Sequence, residues 1–211
     1  MPSAPEKTSL SDLKCLTPDQ KWLKLWLVHW TRGDKTGDWT FASRKNPPMA
    51  AAGRIEPDAV VVVPTWVERE NAPATSEKKL VVTREFRIPL AGDYYGFPAG
   101  LIEKGQTPVQ AAERELREET GLKIVSVQKV SPPIFSSAGL TDESSVLVYC
   151  TVTGTPSKAG NEHSEDIDTL ILGHEELTDL YHARGKFEGA RISLKLWPVL
   201  DAWLEREAER G

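Results

Sequence analysis

One stretch, residues 98–122, limits what this 211-residue chain can fold into more than any other. Its centre carries the marks of a helix with fixed ends. Thr107 is a good N-cap, and Pro108 follows at the first helical position, where a missing N–H costs nothing. Gln110, three residues after Thr107, completes a capping box. Gly121 is placed to end the helix in the left-handed conformation. The spacing therefore predicts a helix over 107–120. Val109, Ala112 and Leu116 fall on one side of it, at about 100° per residue. Glu115 and Glu119 are four apart and so are surface neighbours, with Glu118 close to them. Three carboxylates on one side of a helix repel each other. Arg114 and Arg117 offset part of that repulsion from the flank. A hard divalent cation would offset it better, because Mg²⁺ takes carboxylate and phosphate oxygens. Taken alone, an acidic run of this kind usually just faces water, so the surrounding residues decide between the two readings.

The rest of the chain alternates strand and helix patterns. Residues 1–20 read as loose, or as a short helix at best. Residues 22–30 alternate, with Leu23, Leu25 and Leu27 on one face and Trp22, Trp26, Val28 and Trp30 on the other, which is strand periodicity. A turn signal at 33–37 and a second strand at 38–44 close a hairpin. Residues 46–53 break the pattern and mark a boundary. Strands are expected at 59–63, 79–87, 124–130, 145–152 and 168–172, with a short extended piece at 94–98. Helices are expected at 175–181 and 193–206, where Pro198 either kinks the last helix or marks its true start. This order predicts an α/β protein, a mixed sheet with helices on it, preceded by a small N-terminal β appendage. The expected division is 1–57 for the appendage and 58–211 for the main domain.

The residues around the helix match a known pattern. Gly100, five residues, Gln106, seven residues, then Arg114-Glu115-Leu116-Arg117-Glu118-Glu119-Thr120-Gly121-Leu122 resembles the Nudix box. Eight of its nine specified positions agree. The departure is Gln106, where the family has Glu; Gln keeps the hydrogen bonding and loses the charge. The resemblance implies the Nudix fold, an α/β/α sandwich around a mixed β-sheet, over roughly residues 58–185. It implies that Glu115 and Glu119 are the main metal ligands, with Glu118 in support and the backbone carbonyl of Ala99 as a further ligand. The implied cofactor is Mg²⁺, for which Mn²⁺ can substitute. The implied chemistry is hydrolysis of a nucleoside diphosphate linked to another group, with metal ions stabilising the developing charge and activating a water.

The flanks resemble the ADP-ribose pyrophosphatase branch of that family. Arg84-Glu85-Phe86-Arg87 is similar to the branch's arginine-bearing strand, which poises Arg87 for a phosphate. Residues 136–143, with Gly139 and Leu140 at their centre, resemble its substrate loop. Trp22, Trp39 and Arg44 resemble positions in its β appendage, where aromatic side chains stack on adenine. A flat π-face recognises a base at low entropy cost, although tryptophans also serve as ordinary core or interface packing. The catalytic base is expected on the acidic loop 161–167, at Glu165 first and Glu162 second, with Glu118 beside the reaction. The appendage in this branch often reaches a second subunit, which implies a homodimer.

Composition narrows the alternatives. A net charge of −5 gives no basic footprint for nucleic acid. No run approaches a membrane span, no leader pattern opens the chain, and the two cysteines are too few for a disulfide framework. The expectation is a cytoplasmic enzyme whose partner is a nucleotide-sugar, with neither nucleic acid nor membrane. Two alternatives stay open: another Nudix substrate, such as a UDP- or GDP-sugar, NADH or a diadenosine polyphosphate, and a non-catalytic nucleotide sensor on the same scaffold.

Overall fold

The computed structural model describes residues 7–52, 55–73, 76–161 and 166–208. Along the chain the elements are β1 (Ser9–Cys15), β2 (Lys24–Arg32), β3 (Lys35–Ser43), α1 (Met49–Ala52), β4 (Ala59–Trp66), β5 (Lys79–Arg87), β6 (Gly92–Gly96), β7 (Ala99–Leu101) and α2 (Pro108–Thr120). They continue as β8 (Lys123–Val130), β9 (Ile134–Phe135), β10 (Ser144–Thr153), β11 (Asp168–Leu172), α3 (His174–Tyr181), β12 (Arg191–Ile192) and α4 (Trp197–Ala208). Contacts within the chain define two compact units: Met1–Asp58 with Pro133–Ser145, and Ala59–Pro132 with Val146–Gly211.

In the first unit β1, β2 and β3 form an antiparallel sheet in that order. The expected hairpin is present, and its turn is tighter than the sequence implies. Arg32 pairs with Lys35, so only Gly33 and Asp34 connect the strands. Trp26 and Val28 on one face of β2 are buried and Leu25 on the other is exposed, as the alternation requires. Residues 9–15 are a correction. They were expected to be loose or helical, and they form β1 against β2 instead. Their mostly polar composition hides the strand, as does a register shift between Ser11 and Lys14.

The second unit is built on a mixed sheet of order β12-β6-β5-β4-β10-β8, with β11 on β5 and β7 on β4. The β12–β6 pair is parallel; the pairs of β5 with β6 and β11, of β4 with β5 and β7, and of β8 with β10 are antiparallel. The main core lies between this sheet and α2. Val60, Val62, Val81, Val146, Val148 and Val152 meet Ala111, Ala112 and Leu116. Each fully buried Val or Leu contributes roughly 1.5–3 kcal/mol, and this fixes α2 and its carboxylates on the sheet. Pro198 lies in the first turn of α4, which begins at Trp197 and not near 193, so the proline marks the start.

The sequence-based division at residues 57 and 58 and the contact-based one share a boundary near Asp58. They differ over Pro133–Ser145, which keeps company with the N-terminal residues through several hydrogen bonds. Ala42 N–H donates to the Leu140 carbonyl at 2.8 Å, and Ser43 Oγ donates to Asp142 Oδ2 at 2.9 Å. Among the described residues no helix is long and apolar enough to cross a membrane.

Candidate active site

Helix α2 is capped as its sequence requires. Gln110 N–H donates to Thr107 Oγ1 at 3.3 Å, and Thr107 N–H donates to Gln110 Oε1 at 2.9 Å. At the other end Gly121 adopts φ 72° and its N–H donates to the Arg117 carbonyl at 2.9 Å. The buried positions are Ala111, Ala112, Glu115, Leu116, Glu119 and Thr120. Two of the three carboxylates therefore sit on the core-facing stripe and not on a solvated face. Glu115 is 8% exposed and Glu119 is 6% exposed. Carboxylates are almost never fully buried unless paired, so their burial marks a built site.

Their partners are specific. Arg114 Nη2 lies 2.7 Å from Glu115 Oε1, and Arg114 Nη1 lies 2.8 Å from Glu118 Oε2. Arg114 Nη2 also donates to the Leu101 carbonyl at 2.9 Å. Burial works against the charged guanidinium, and Glu115 and Glu118 more than offset it, so the Arg114 pKa is raised. Glu119 Oε2 accepts the Ala99 N–H at 3.2 Å. The Glu115 carboxylate lies against the Cα of Gly100; a Cβ there would stand 1.9 Å from Oε1 and 2.3 Å from Oε2. Any side chain at position 100 would occupy the seat of that carboxylate. This is a physical reason for glycine at the first box position.

As the side chains stand, no three His, Cys, Asp or Glu residues among those described form a metal-holding group. Arg114 pairs with Glu115 and Glu118, and Glu119 accepts the Ala99 N–H. The donor set still fits a hard divalent cation. It is all oxygen, it gathers on the last two turns of one helix, and the Gly100 cradle closes one side.

Gln106 serves the loop and not the arginine. Its Oε1 accepts the Glu103 N–H at 3.2 Å, and its Nε2 donates to Glu103 Oε2 at 3.2 Å. Arg114 Nε is buried without a hydrogen-bond partner. Arg87, expected to face a phosphate, lies at the end of β5 with Nη2 2.6 Å from Glu85 and the guanidinium over the Tyr94 ring. Its strand neighbour Arg84 pairs with Asp168 across the β5–β11 ladder. Lys158 also reaches Asp168, at 2.6 Å, and Lys158 and Arg84 together hold the Asp168 pKa below its usual value. Glu162 and Glu165, the expected bases, lie outside the described residues.

The first unit holds a cavity of about 660 Å³. Its walls include Trp30, Trp39, Phe41, Phe135, Arg32 and Asp142. Trp39 is 52% exposed, and its Nε1–H donates to the Gly139 carbonyl at 3.2 Å. The structure thus brings together Trp39, Gly139 and, through the Ala42 bond, Leu140. Arg44 stands 3.8 Å from Glu143. Trp22 does not line the cavity; it precedes β2, is 69% exposed, and has Lys21 over its ring. Trp30, Phe41 and Phe135 are the aromatic wall residues that the sequence does not mark as site residues. The β2 alternation offered a signal for Trp30 alone.

Comparison with known proteins identifies the family. The model of the NUDIX domain matches residues 59–190. The chain belongs to the NUDIX domain family. It is 32% identical over 163 residues to a Caenorhabditis elegans protein described as a nudix hydrolase, covering 74% of this chain and 69% of that one. It is 36% identical over 147 residues to the ADP-sugar pyrophosphatase of Mus musculus, covering 66% and 64%. The chain thus spans about two thirds of the length of these relatives. Among solved structures, an ADP compounds hydrolase superposes with a TM-score of 0.66 over 97% of each chain at 15% identity, a likeness of fold. Nudix hydrolases generally use a divalent metal.

Proposed function

We propose that this chain is a Mg²⁺-dependent hydrolase that splits the diphosphate of ADP-ribose or a related ADP-sugar into AMP and a sugar phosphate. The observation that carries the reading is the pair of buried carboxylates, Glu115 on the Gly100 cradle and Glu119 on the Ala99 N–H. The substrate class is supported by the ADP-sugar pyrophosphatase relative and by the flanking residues that resemble that branch. Glu115 and Glu119, with Glu118 and the Ala99 carbonyl, are the groups that would hold the metal. When bound, the metal stabilises charge on the phosphate oxygens and lowers the pKa of a water. Arg114 holds the Glu115 and Glu118 carboxylates in place from the flank.

Within the same reading, Arg87 serves a phosphate, Arg44 belongs to the substrate-binding residues of the appendage, and Trp39 and Trp22 offer exposed aromatic faces to the base. The cavity beside Trp39, with Gly139 and Leu140 at its substrate loop, is of ordinary ligand size. The base is assigned from the sequence to Glu165, with Glu162 second. The chain acts as a cytoplasmic homodimer, its exposed Leu23, Leu25 and Trp22 favouring a partner surface. Mn²⁺ replaces Mg²⁺ with activity retained.

The test is product formation from ADP-ribose with Mg²⁺ present and then chelated. AMP and ribose 5-phosphate, lost on chelation, are expected, with a higher kcat/KM than for UDP-glucose. Equal or lower kcat/KM on ADP-ribose than on UDP-glucose overturns the substrate assignment. Nucleotide binding without turnover in Mg²⁺ or Mn²⁺ overturns the enzyme. Light scattering at micromolar concentration tests the dimer, and a monomer mass rejects it.

A further inference from the structure

The C-terminal turn of α2 carries two of the proposed ligands, Glu118 and Glu119. A helix leaves its last four carbonyls without intrahelical partners. Each of the four has an identified partner here. Gly121 N–H serves Arg117, and Ser157 N–H serves Thr120 at 2.9 Å. The two between them, the carbonyls of Glu118 and Glu119, both accept from one side chain. The surrounding donors and acceptors assign the Asn161 amide nitrogen to the helix side, because in the opposite orientation its oxygen would face only carbonyls. So assigned, it donates to each at 3.2 Å, and its oxygen accepts the Ile167 N–H at 3.0 Å.

The approach is built for this. Gly160 lies so close to the helix that a Cβ would stand 2.7 Å from the Glu118 carbonyl oxygen and 2.9 Å from its Cα. Ser157 likewise lies against Gly121. The segment itself is anchored from below, where Lys158 Nζ meets Asp166 and Asp168 at 2.6 Å and Asp168 meets Arg84 on β5. One amide therefore ties the backbone of both carboxylate residues to the ion-paired base of β11. Last turns of helices fray when left to themselves. A ligand set needs placement within about 0.5 Å.

We propose that Asn161 is a positioning residue for the Glu118–Glu119 pair, acting through their backbone carbonyls. The proposal rests on the hydrolase reading above. Asn161→Asp is the sharpest probe. It keeps the size and the acceptor for Ile167 N–H, removes both donations, and points a carboxylate at the negative end of the helix. Asn161→Ala is the milder companion. In both variants kcat on ADP-ribose is expected to fall roughly 10- to 100-fold, and the Kd for Mn²⁺ alone, by calorimetry without nucleotide, to rise about tenfold. KM should move far less.

A fall in Tm with kcat and the Mn²⁺ Kd unchanged overturns the proposal and leaves Asn161 a plain helix cap. A wild-type chain that turns over ADP-ribose, with equally active variants, also overturns it while the hydrolase reading stands. A wild-type chain that binds Mn²⁺ and hydrolyses nothing removes that reading, and the Mn²⁺ affinities of the two variants then decide Asn161 by themselves. Wild-type protein that neither binds Mn²⁺ nor turns over substrate overturns both.

Discussion

Gly100→Ala separates folding from chemistry more cleanly than removal of a carboxylate. The new methyl would stand 1.9 Å from Glu115 Oε1, while real Cβ contacts essentially never fall below 3.0 Å. The carboxylate must retreat by about 1.1 Å, the difference between those distances. The backbone needs little change, because the clashing atoms are the far end of a flexible side chain. Overpacking of this kind costs about 1–3 kcal/mol, and part of that is the 2.7 Å pairing with Arg114. Catalysis is hit harder, because a 1 Å misplacement costs about 100-fold. The assay is AMP release from ADP-ribose across a Mg²⁺ titration, with Tm measured on the same samples. The expected result is a folded protein with kcat down about 100-fold and a raised Mg²⁺ requirement. Adding Glu115→Asp to that background shortens the side chain and should recover Tm without recovering turnover. Wild-type kcat at wild-type Mg²⁺ in Gly100→Ala refutes the seat of Glu115 as a functional feature.

Three further outcomes are expected. Trp39→Ala removes a stacking face worth about 1–3 kcal/mol per base, which reads as a KM increase of roughly 5- to 150-fold. Trp39→Phe keeps the face, loses only the bond to Gly139, and should stay near wild type; equal loss in both variants removes stacking as the cause. Asp168 has its pKa lowered by Lys158 and then Arg84. Its contribution to stability is therefore present above the ordinary carboxylate value of 3.8 and lost as pH falls through the lower folded value. Asp168→Asn should flatten that acid limb of the Tm–pH curve, and an unchanged limb refutes the pairing. Burial pushes the Cys150 thiol up to about 12. At neutral pH a thiol reagent should therefore label Cys15 in the native chain and both cysteines only after denaturation. Native labelling of Cys150 would contradict its burial.

Much of the second unit was legible because its signals are local. Thr107, Pro108, Gln110 and Gly121 state the limits of α2 within a few residues of each other, and the predicted span differs from the observed one by a single residue. The strands at 79–87 and 168–172 each carry a short apolar run, Leu80 to Val82 and Leu170 to Leu172, and fall where the pattern puts them. Elements of two or three residues, β7, β9 and β12, carry no periodicity to read. Strand β1 is hidden by its polar residues and by Asp12 at positive φ. The carboxylates were legible as a cluster, but not as a buried one, since nothing in their spacing shows that Glu115 and Glu119 face the core. The Asn161 cap depends on contacts made some forty residues along the chain, beyond the reach of any pattern window. The aromatic wall was half legible. Trp39 came from resemblance, but Trp22 sits before the strand begins, and Trp30 within it lines the cavity.

The bonds that close the first unit have a consequence for the order in which the chain can mature. Trp39 to Gly139 spans 100 residues, Ser43 to Asp142 spans 99, and Met49 to Asp142 spans 93. On a ribosome, residues 1–58 emerge early and then wait for residues 133–145. At 5–20 residues per second that interval is roughly 4–17 s. During it, the β1–β3 sheet lacks the partners that later bond Trp39, Ala42 and Ser43, and the cavity beside Trp39 lacks Phe135 and Asp142 from its wall. A fragment ending at residue 58 would stay in that state permanently. The N-terminal unit is thus first in synthesis and late in completion, and aggregation of nascent chains should depend on how quickly the returning segment arrives.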